Sequence, residues 1–226
     1  MAHVLFENEY FCVIFKAAGE DFHKTLTVLP SPDKAYCIYP LDEALCGPLL
    51  CAKTKEASHE LKNAYGSDLF SFEFLLWGYA QHVLPPQWEC DLSIAWDGEK
   101  VFPSKVKGKK ARTQFKLERS YGNYHLIKCC THYLRRLQIP LHAYYGQAIE
   151  ILGDTIFSKN GPHYVCLSDL KPFVKNCASG KALSEGLHLC LQGVSFNFRG
   201  QSYNFTVPLP KAWEVMERQL KRYSAV

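Results

Sequence analysis

No stretch of this 226-residue chain approaches the roughly 18 consecutive apolar residues that a membrane-spanning helix needs. The start, Met1-Ala2-His3-Val4-Leu5-Phe6-Glu7, also lacks the charged segment followed by an apolar one that marks a secretory leader. A cytoplasmic protein with no membrane partner is expected. No Cys-x-x-Cys pair occurs among the ten cysteines, which are dispersed and sit mostly in apolar runs. That pattern reads as reduced, buried thiols acting as small hydrophobes, against a zinc site or a disulfide framework. The adjacent Cys129-Cys130 pair does not alter this, because neighbours on a strand point to opposite faces. No metal and no external cofactor are expected. Internal repeats and low-complexity linkers are absent too. With 47% apolar and 21% charged residues the composition excludes a disordered or fibrous chain and predicts one globular domain over residues 1–226, as a monomer.

What is present is a modest positive excess, 26 Lys and Arg against 22 Asp and Glu, unevenly spread. Lys105, Lys107, Lys109, Lys110 and Arg112 crowd one glycine-containing stretch, Arg135 and Arg136 adjoin, and Lys211, Arg218, Lys221 and Arg222 mark the last helix. Clustered cations suit a phosphate backbone, and solvated loops with a solvated helix face explain them equally well at this stage.

Apolar bursts at 4–6 and 10–15 around Glu7-Asn8-Glu9 predict an entry hairpin. Good helix formers from Lys53 to Lys62, ended by Tyr65-Gly66, predict a helix, and the aromatic run Phe70 to Ala80 a buried strand. Strands at 111–117 and 124–131 flank the turn signal Tyr121-Gly122-Asn123, and strands at 187–198 and 203–207 flank Arg199-Gly200-Gln201. The segment 134–145 is expected to start a helix that Pro140 interrupts after one turn. An amphipathic helix over 212–223 closes the chain. Many strands and few helices predict an α+β fold on a largely antiparallel, mixed sheet flanked by helices and loops.

The run Tyr39-Pro40-Leu41-Asp42-Glu43-Ala44-Leu45-Cys46-Gly47-Pro48-Leu49-Leu50-Cys51-Ala52-Lys53-Thr54-Lys55-Glu56-Ala57 resembles the RluA-type pattern H-R-L-D-x-x-T-S-G-L-L-L-x-A-K-T-x-x-A of RNA pseudouridine synthases. Further segments follow in that family's order. Phe15-Lys16-Ala17-Ala18-Gly19 is similar to N-K-P-x-G, Phe70 to Gly78 to K-x-Y-x-x-x-V-x-G, and Gly108 to Phe115 to G-K-x-A-x-T-x-F. Leu134 to His142, followed by Leu152-Gly153-Asp154, resembles G-R-T-H-Q-I-R-V-H with L-G-D, and Phe205 to Pro210 resembles the closing a-P-L-P piece. The likeness spans nearly the whole chain, and no separate N-terminal RNA-binding domain is expected before it.

The resemblance implies an isomerase that converts uridine to pseudouridine in RNA without a cofactor, with ribosomal RNA (rRNA) as the default substrate and transfer RNA (tRNA) second. It implies Asp42 as the catalytic carboxylate, Phe72 as a base-stacking ring where the family carries tyrosine, and Arg135 as a carboxylate partner or phosphate contact. Lys105, Lys107, Lys109, Lys110, Arg112 and Arg136 are the expected RNA contacts. The chain departs from the pattern at Pro40 and Pro140, where the family has arginines, and at Leu45-Cys46 in place of Thr-Ser. Proline can neither hold a carboxylate ionised nor help displace a base. A catalytically degenerate RNA-binding paralogue of the same fold is therefore the alternative reading.

Overall fold

A computed structural model describes residues 1–29, 33, 35–158, 160–170 and 181–223. The fold class is α+β, with strands paired antiparallel wherever their register is defined below. Contacts divide the chain into two compact units, each assembled from three segments: 1–75, 130–135 and 189–208 form the first, and 76–129, 136–188 and 209–226 the second.

The first unit starts with β1 (His3–Glu7) and β2 (Phe11–Lys16), the entry hairpin, followed by α1 (Phe22–Leu26), β3 (Tyr36–Cys37) and β4 (Gly47–Ala52). These strands form an antiparallel sheet in the order β1-β2-β4-β3. All of β4 and all but one residue of β2 are buried, which is why the sequence runs apolar there instead of alternating. Cys12, Cys51 and Cys37 fall opposite one another across β2, β4 and β3, and all three are free thiols. Helix α2 (Lys55–Ala64) is capped by Thr54, whose hydroxyl accepts from Ala57 N at 3.1 Å, and buries Ala57, Ser58 and Leu61. The predicted strand 70–80 is β5 (Phe70–Tyr79), whose first part belongs to this unit.

The second unit holds the rest of β5, β6 (Gln87–Cys90), β7 (Ile94–Trp96), β8 (Val101–Pro103), β9 (Thr113–Tyr121) and β10 (Tyr124–Thr131). Its strand order is β5-β10-β9-β6, and β7 with β8 makes a separate hairpin. Helix α3 (Gln138–Gln147), β11 (Glu150–Ile151), α4 (Leu167–Leu170) and, at the end of the chain, the last helix complete it. Between them in sequence, β12 (Leu189–Phe198) and β13 (Gln201–Thr206) form the second predicted hairpin and return to the first unit, beside β5. That last helix, α5 (Lys211–Tyr223), buries Trp213, Met216 and Leu220, three residues at helical spacing, each contributing about 1.5 to 3 kcal/mol by leaving water.

The expected interruption at Pro140 does not occur. Helix α3 begins at Gln138, so Pro140 lies in its first turn, where backbone N–H groups have no partner within the helix and none is lost. The short strands β6, β7 and β8 were not expected. Among the described residues nine cysteines are free, six of them buried; Cys177 lies outside those residues. No group of His, Cys, Asp or Glu suited to a metal occurs among the described residues, and no described helix is long and apolar enough to cross a membrane.

Candidate active site

Asp42 lies in the loop that connects β3 to β4, in the first unit. Its side chain is exposed, between buried Leu41 and a turn at Glu43-Ala44. The turn is closed by Leu45 N donating to Asp42 O at 3.0 Å. Beneath it sits Lys16, the last residue of β2, fully buried. Its ammonium donates to Leu45 O at 2.8 Å, Glu43 O at 2.9 Å and Ala17 O at 3.2 Å, so all three donors are used on backbone carbonyls. Gly19 N adds a bond to Glu43 O at 2.8 Å. Burial pushes the Lys16 ammonium below its ordinary value, partly offset by the negative charges of Glu20, Glu43 and Asp42 around it. The Asp42 carboxylate is thus presented to water on a turn whose backbone is tied down from below by a cation.

Two more residues brace the loop. Tyr39, fully buried, donates its hydroxyl to Pro48 O at 2.7 Å, and burial drives that phenol well above its ordinary value. On the far side of the turn, Leu191 N of β12 donates to Cys46 O at 2.9 Å, and the Cys46 and Cys190 sulfurs lie 3.1 Å apart. Gly47 makes this approach possible: a Cβ there would stand 2.4 Å from Leu191 O and 2.6 Å from Leu191 Cβ. The glycine of the T-S-G motif position is therefore demanded by the backbone of another strand, and its neighbours Leu45 and Cys46 are buried.

Phe72 is fully enclosed. Tyr39 meets it edge-on at 4.7 Å between ring centroids, and Phe70 and Tyr65 surround it at 5.0 and 5.7 Å. In this conformation its ring presents no face to a base arriving from solvent, and it works as the core of the aromatic cluster below Tyr39. Arg135 connects to the same cluster. Its half-buried guanidinium lies 4.4 Å over the Tyr133 ring, and Tyr133 lies 4.4 Å from Tyr65. Tyr65 in turn accepts from Leu134 N at 2.9 Å, and burial pushes its phenol up to about 12. Among the described residues no arginine forms an ion pair with Asp42.

The remaining expected contacts lie in the second unit. Lys105, Lys107, Lys109, Lys110, Arg112 and Arg136 are all exposed. Arg112 pairs with Glu89 at 2.6 Å. Arg136 lies 5.5 Å over the ring of Trp96. The motif residues behind these cations are structural. Gln138 Nε2 donates to Arg112 O at 3.1 Å and to the Thr113 hydroxyl at 3.0 Å. Buried His142 joins that hydroxyl at 2.9 Å and donates through Nε2 to Leu92 O at 2.9 Å. Because a carbonyl can only accept, Nδ1 must receive the threonine proton, and burial holds the imidazole below its ordinary value, in the neutral form that this chain of bonds requires.

No protein-family profile matches the sequence, and no curated protein shows significant similarity to it. Solved structures do match in fold. Human RNA pseudouridylate synthase domain containing 4 superposes with a TM-score of 0.74 over 96% of this chain and 92% of its own, at 18% identity. Human RNA pseudouridylate synthase domain containing 1 gives 0.70 over 100% and 96%, at 12% identity. This chain has the RNA pseudouridylate synthase fold. At such low identity the shared fold fixes the path of the backbone, and the side-chain chemistry has to be argued from this chain's own residues. Of those, the pseudouridylate synthase fold brings together Asp42, Lys16, Tyr39 and Gly47. Motif comparison singled out Asp42 alone; Lys16 stood in a quoted motif without a role, since a lysine at the end of an apolar strand reads as a solvated head group.

Proposed function

We propose that this chain isomerises uridine to pseudouridine in structured RNA, with Asp42 as the carboxylate that acts at the sugar C1′, and rRNA as the preferred substrate class over tRNA. The observation that carries the reading is the Asp42 turn itself: an exposed carboxylate on a backbone locked by the Lys16 ammonium, within this fold. The reaction breaks the N1–C1′ bond, turns the freed uracil, and joins C5 to C1′ while the C5 proton is lost and N1 gains one. Positive charge builds at the sugar as the first bond breaks, and a carboxylate held against it stabilises that charge or attacks C1′. What the turn supplies is a fixed backbone from which Asp42 projects, so the loop itself need not rearrange at the moment of bond cleavage. The target uridine has to leave the stack to reach Asp42, which suits a loop or bulge of a folded RNA better than a continuous duplex.

A second reading, a binding paralogue that holds RNA without isomerising it, is favoured by two observations: the enclosure of Phe72, and the absence among the described residues of an arginine ion pair to Asp42. Incubation with total cellular RNA followed by mapping of new pseudouridines separates them. The enzyme reading expects new sites with the wild type and none with Asp42→Asn, whose exposed position leaves folding unchanged. Sites made equally well by Asp42→Asn exclude Asp42, and RNA retention without any new site leaves only the binding reading.

A further inference from the structure

Trp96 ends strand β7 with 60% of its surface exposed, an unusual position for an indole in a chain whose three other tryptophans are buried or half-buried. It is not a loose side chain. Its strand pairs with β8 in register Trp96↔Val101, and β7 is bridged on its other side by Ile94 and Lys109, which exchange backbone hydrogen bonds at 2.9 Å in both directions. The loop after β8 is held equally firmly. Ser104 N donates to Ser93 O at 2.8 Å and Gly108 N to Ser104 O at 2.9 Å; a Cβ on Gly108 would stand 2.2 Å from Ser104 O, so the loop closes there only with glycine.

The bonds that run from Gln138 through Thr113 and His142 to Leu92 then fasten three segments to one another: the stretch leading into β7, the end of the lysine loop at Arg112, and the turn carrying Arg136. One face of the Trp96 ring is occupied by the Arg136 guanidinium at 5.5 Å. Residues 94–112 bring six cationic side chains against two acidic ones, and Asp97, one of the two, spends its carboxylate on Glu99 N and Lys100 N in the hairpin turn at 3.0 and 2.8 Å. Val106, 93% exposed, lies among the lysines.

An exposed aromatic ring on a rigid hairpin, backed by an arginine and followed by an exposed lysine loop bonded to the same hairpin, is what an unstacked nucleobase with its phosphates requires: a π face for the base and cations for the backbone. We propose that Trp96 is a stacking platform for a base of single-stranded RNA, with Arg136 fixing the indole and Lys105, Lys107 and Lys109 holding the flanking phosphates. This rests on the RNA reading above and adds to it a base-contacting residue outside the family motifs. Stacking on Trp96 tolerates any base, because every base has a π face, so the platform holds the strand and leaves the choice of uridine to other contacts.

The test measures affinity for a short oligouridylate and for an abasic strand of the same length, by anisotropy of a labelled strand, for the wild type, Trp96→Ala, Trp96→Phe and the Lys107→Ala/Lys109→Ala double variant. Trp96→Ala should bind oligouridylate about 5- to 150-fold more weakly, and Trp96→Phe should recover most of the loss. The abasic strand should bind wild type and Trp96→Ala alike, whereas the double lysine variant should weaken both strands. Since Trp96 is largely exposed, unchanged thermal unfolding of the alanine variant excludes a folding defect as the cause. Oligouridylate bound equally by wild type and Trp96→Ala overturns the platform while leaving the RNA reading in place; a wild type that binds neither strand overturns both.

Discussion

Replacing Lys16 by methionine keeps the volume of the buried stem and removes the ammonium from under the Asp42 turn. Three carbonyls lose a donor, but unequally. Glu43 O keeps Gly19 N at 2.8 Å and Ala17 O keeps a weak bond from Glu20 N at 3.4 Å, so Leu45 O is the acceptor left bare. An orphaned buried carbonyl costs about 1 to 3 kcal/mol. Against this, the dehydration cost of the buried ammonium disappears, which places the net loss at about 1 to 2 kcal/mol, or a fall in Tm of roughly 2 to 8 °C for a protein of this size. The pH dependence separates this cause from mere loss of packing. Burial sets the folded-state value of Lys16 below the ordinary lysine value, so in the window between the two the unfolded chain binds more protons and stability rises with pH. The methionine variant has no such gain, so urea unfolding of both proteins from neutral to alkaline pH should show a gap that widens as pH rises. Parallel curves would refute the lowering of the Lys16 value by burial, and a variant as stable as the parent would refute the account of Lys16 as the donor that holds the turn.

Gly47→Ala should be worse tolerated, losing about 2 to 4 kcal/mol in urea unfolding, because the added carbon meets the Leu191 backbone, which cannot move without breaking its bond to Cys46. The affinity of the wild type for single-stranded RNA should fall with salt at a log-log slope of about −0.7 per neutralised phosphate, and Lys107→Ala/Lys109→Ala should shallow it by about 1.4; a slope unchanged in that variant would remove those lysines from the interface. Pro40 is exposed and Pro140 buried, so the two replacements toward arginine should part company. Pro40→Arg should leave the unfolding midpoint nearly unchanged and raise pseudouridine formation by setting a cation two residues before Asp42, whereas Pro140→Arg buries an unpaired guanidinium and should cost about 3 to 5 kcal/mol.

The elements most legible in the sequence were those with strong periodicity or unambiguous turn chemistry. The entry hairpin, helix α2 behind its Thr54 cap, strand β5, and the hairpins around Gly122 and Arg199-Gly200 stand where alternation and turn residues put them. The stretch from Pro85 to Arg112 was opaque, because β6, β7 and β8 are three or four residues long and too short to show a period. Pro140 misled for a different reason: its effect depends on where the helix starts, and that start is set by the left-handed Leu137 and the Gln138 bonds to a distant strand. At the candidate site, motif order singled out Asp42, and the structure places it on an exposed turn. The burial of Lys16 and Phe72 was not legible, since the same residue types in the same local pattern serve equally well at a surface or in a core. The exposure of Trp96 was unreadable for the mirror-image reason, an aromatic in a short apolar run being normally a core residue.

The first unit takes its closing strands from residues 189–208, so the turn bearing Asp42 is synthesised early and finished late. On the ribosome, Lys16 and Gly19 are available to that turn almost at once, but its outer support, Leu191 bonded to Cys46, waits until most of the chain has emerged. Until then strand β4 lacks the β12 contact that Gly47 is shaped to receive, and a long apolar segment stays uncovered. Completion of the candidate catalytic loop is thereby tied to synthesis of residues 189–208, so that a chain stalled or cut before residue 189 carries Asp42 without the frame that would make it useful.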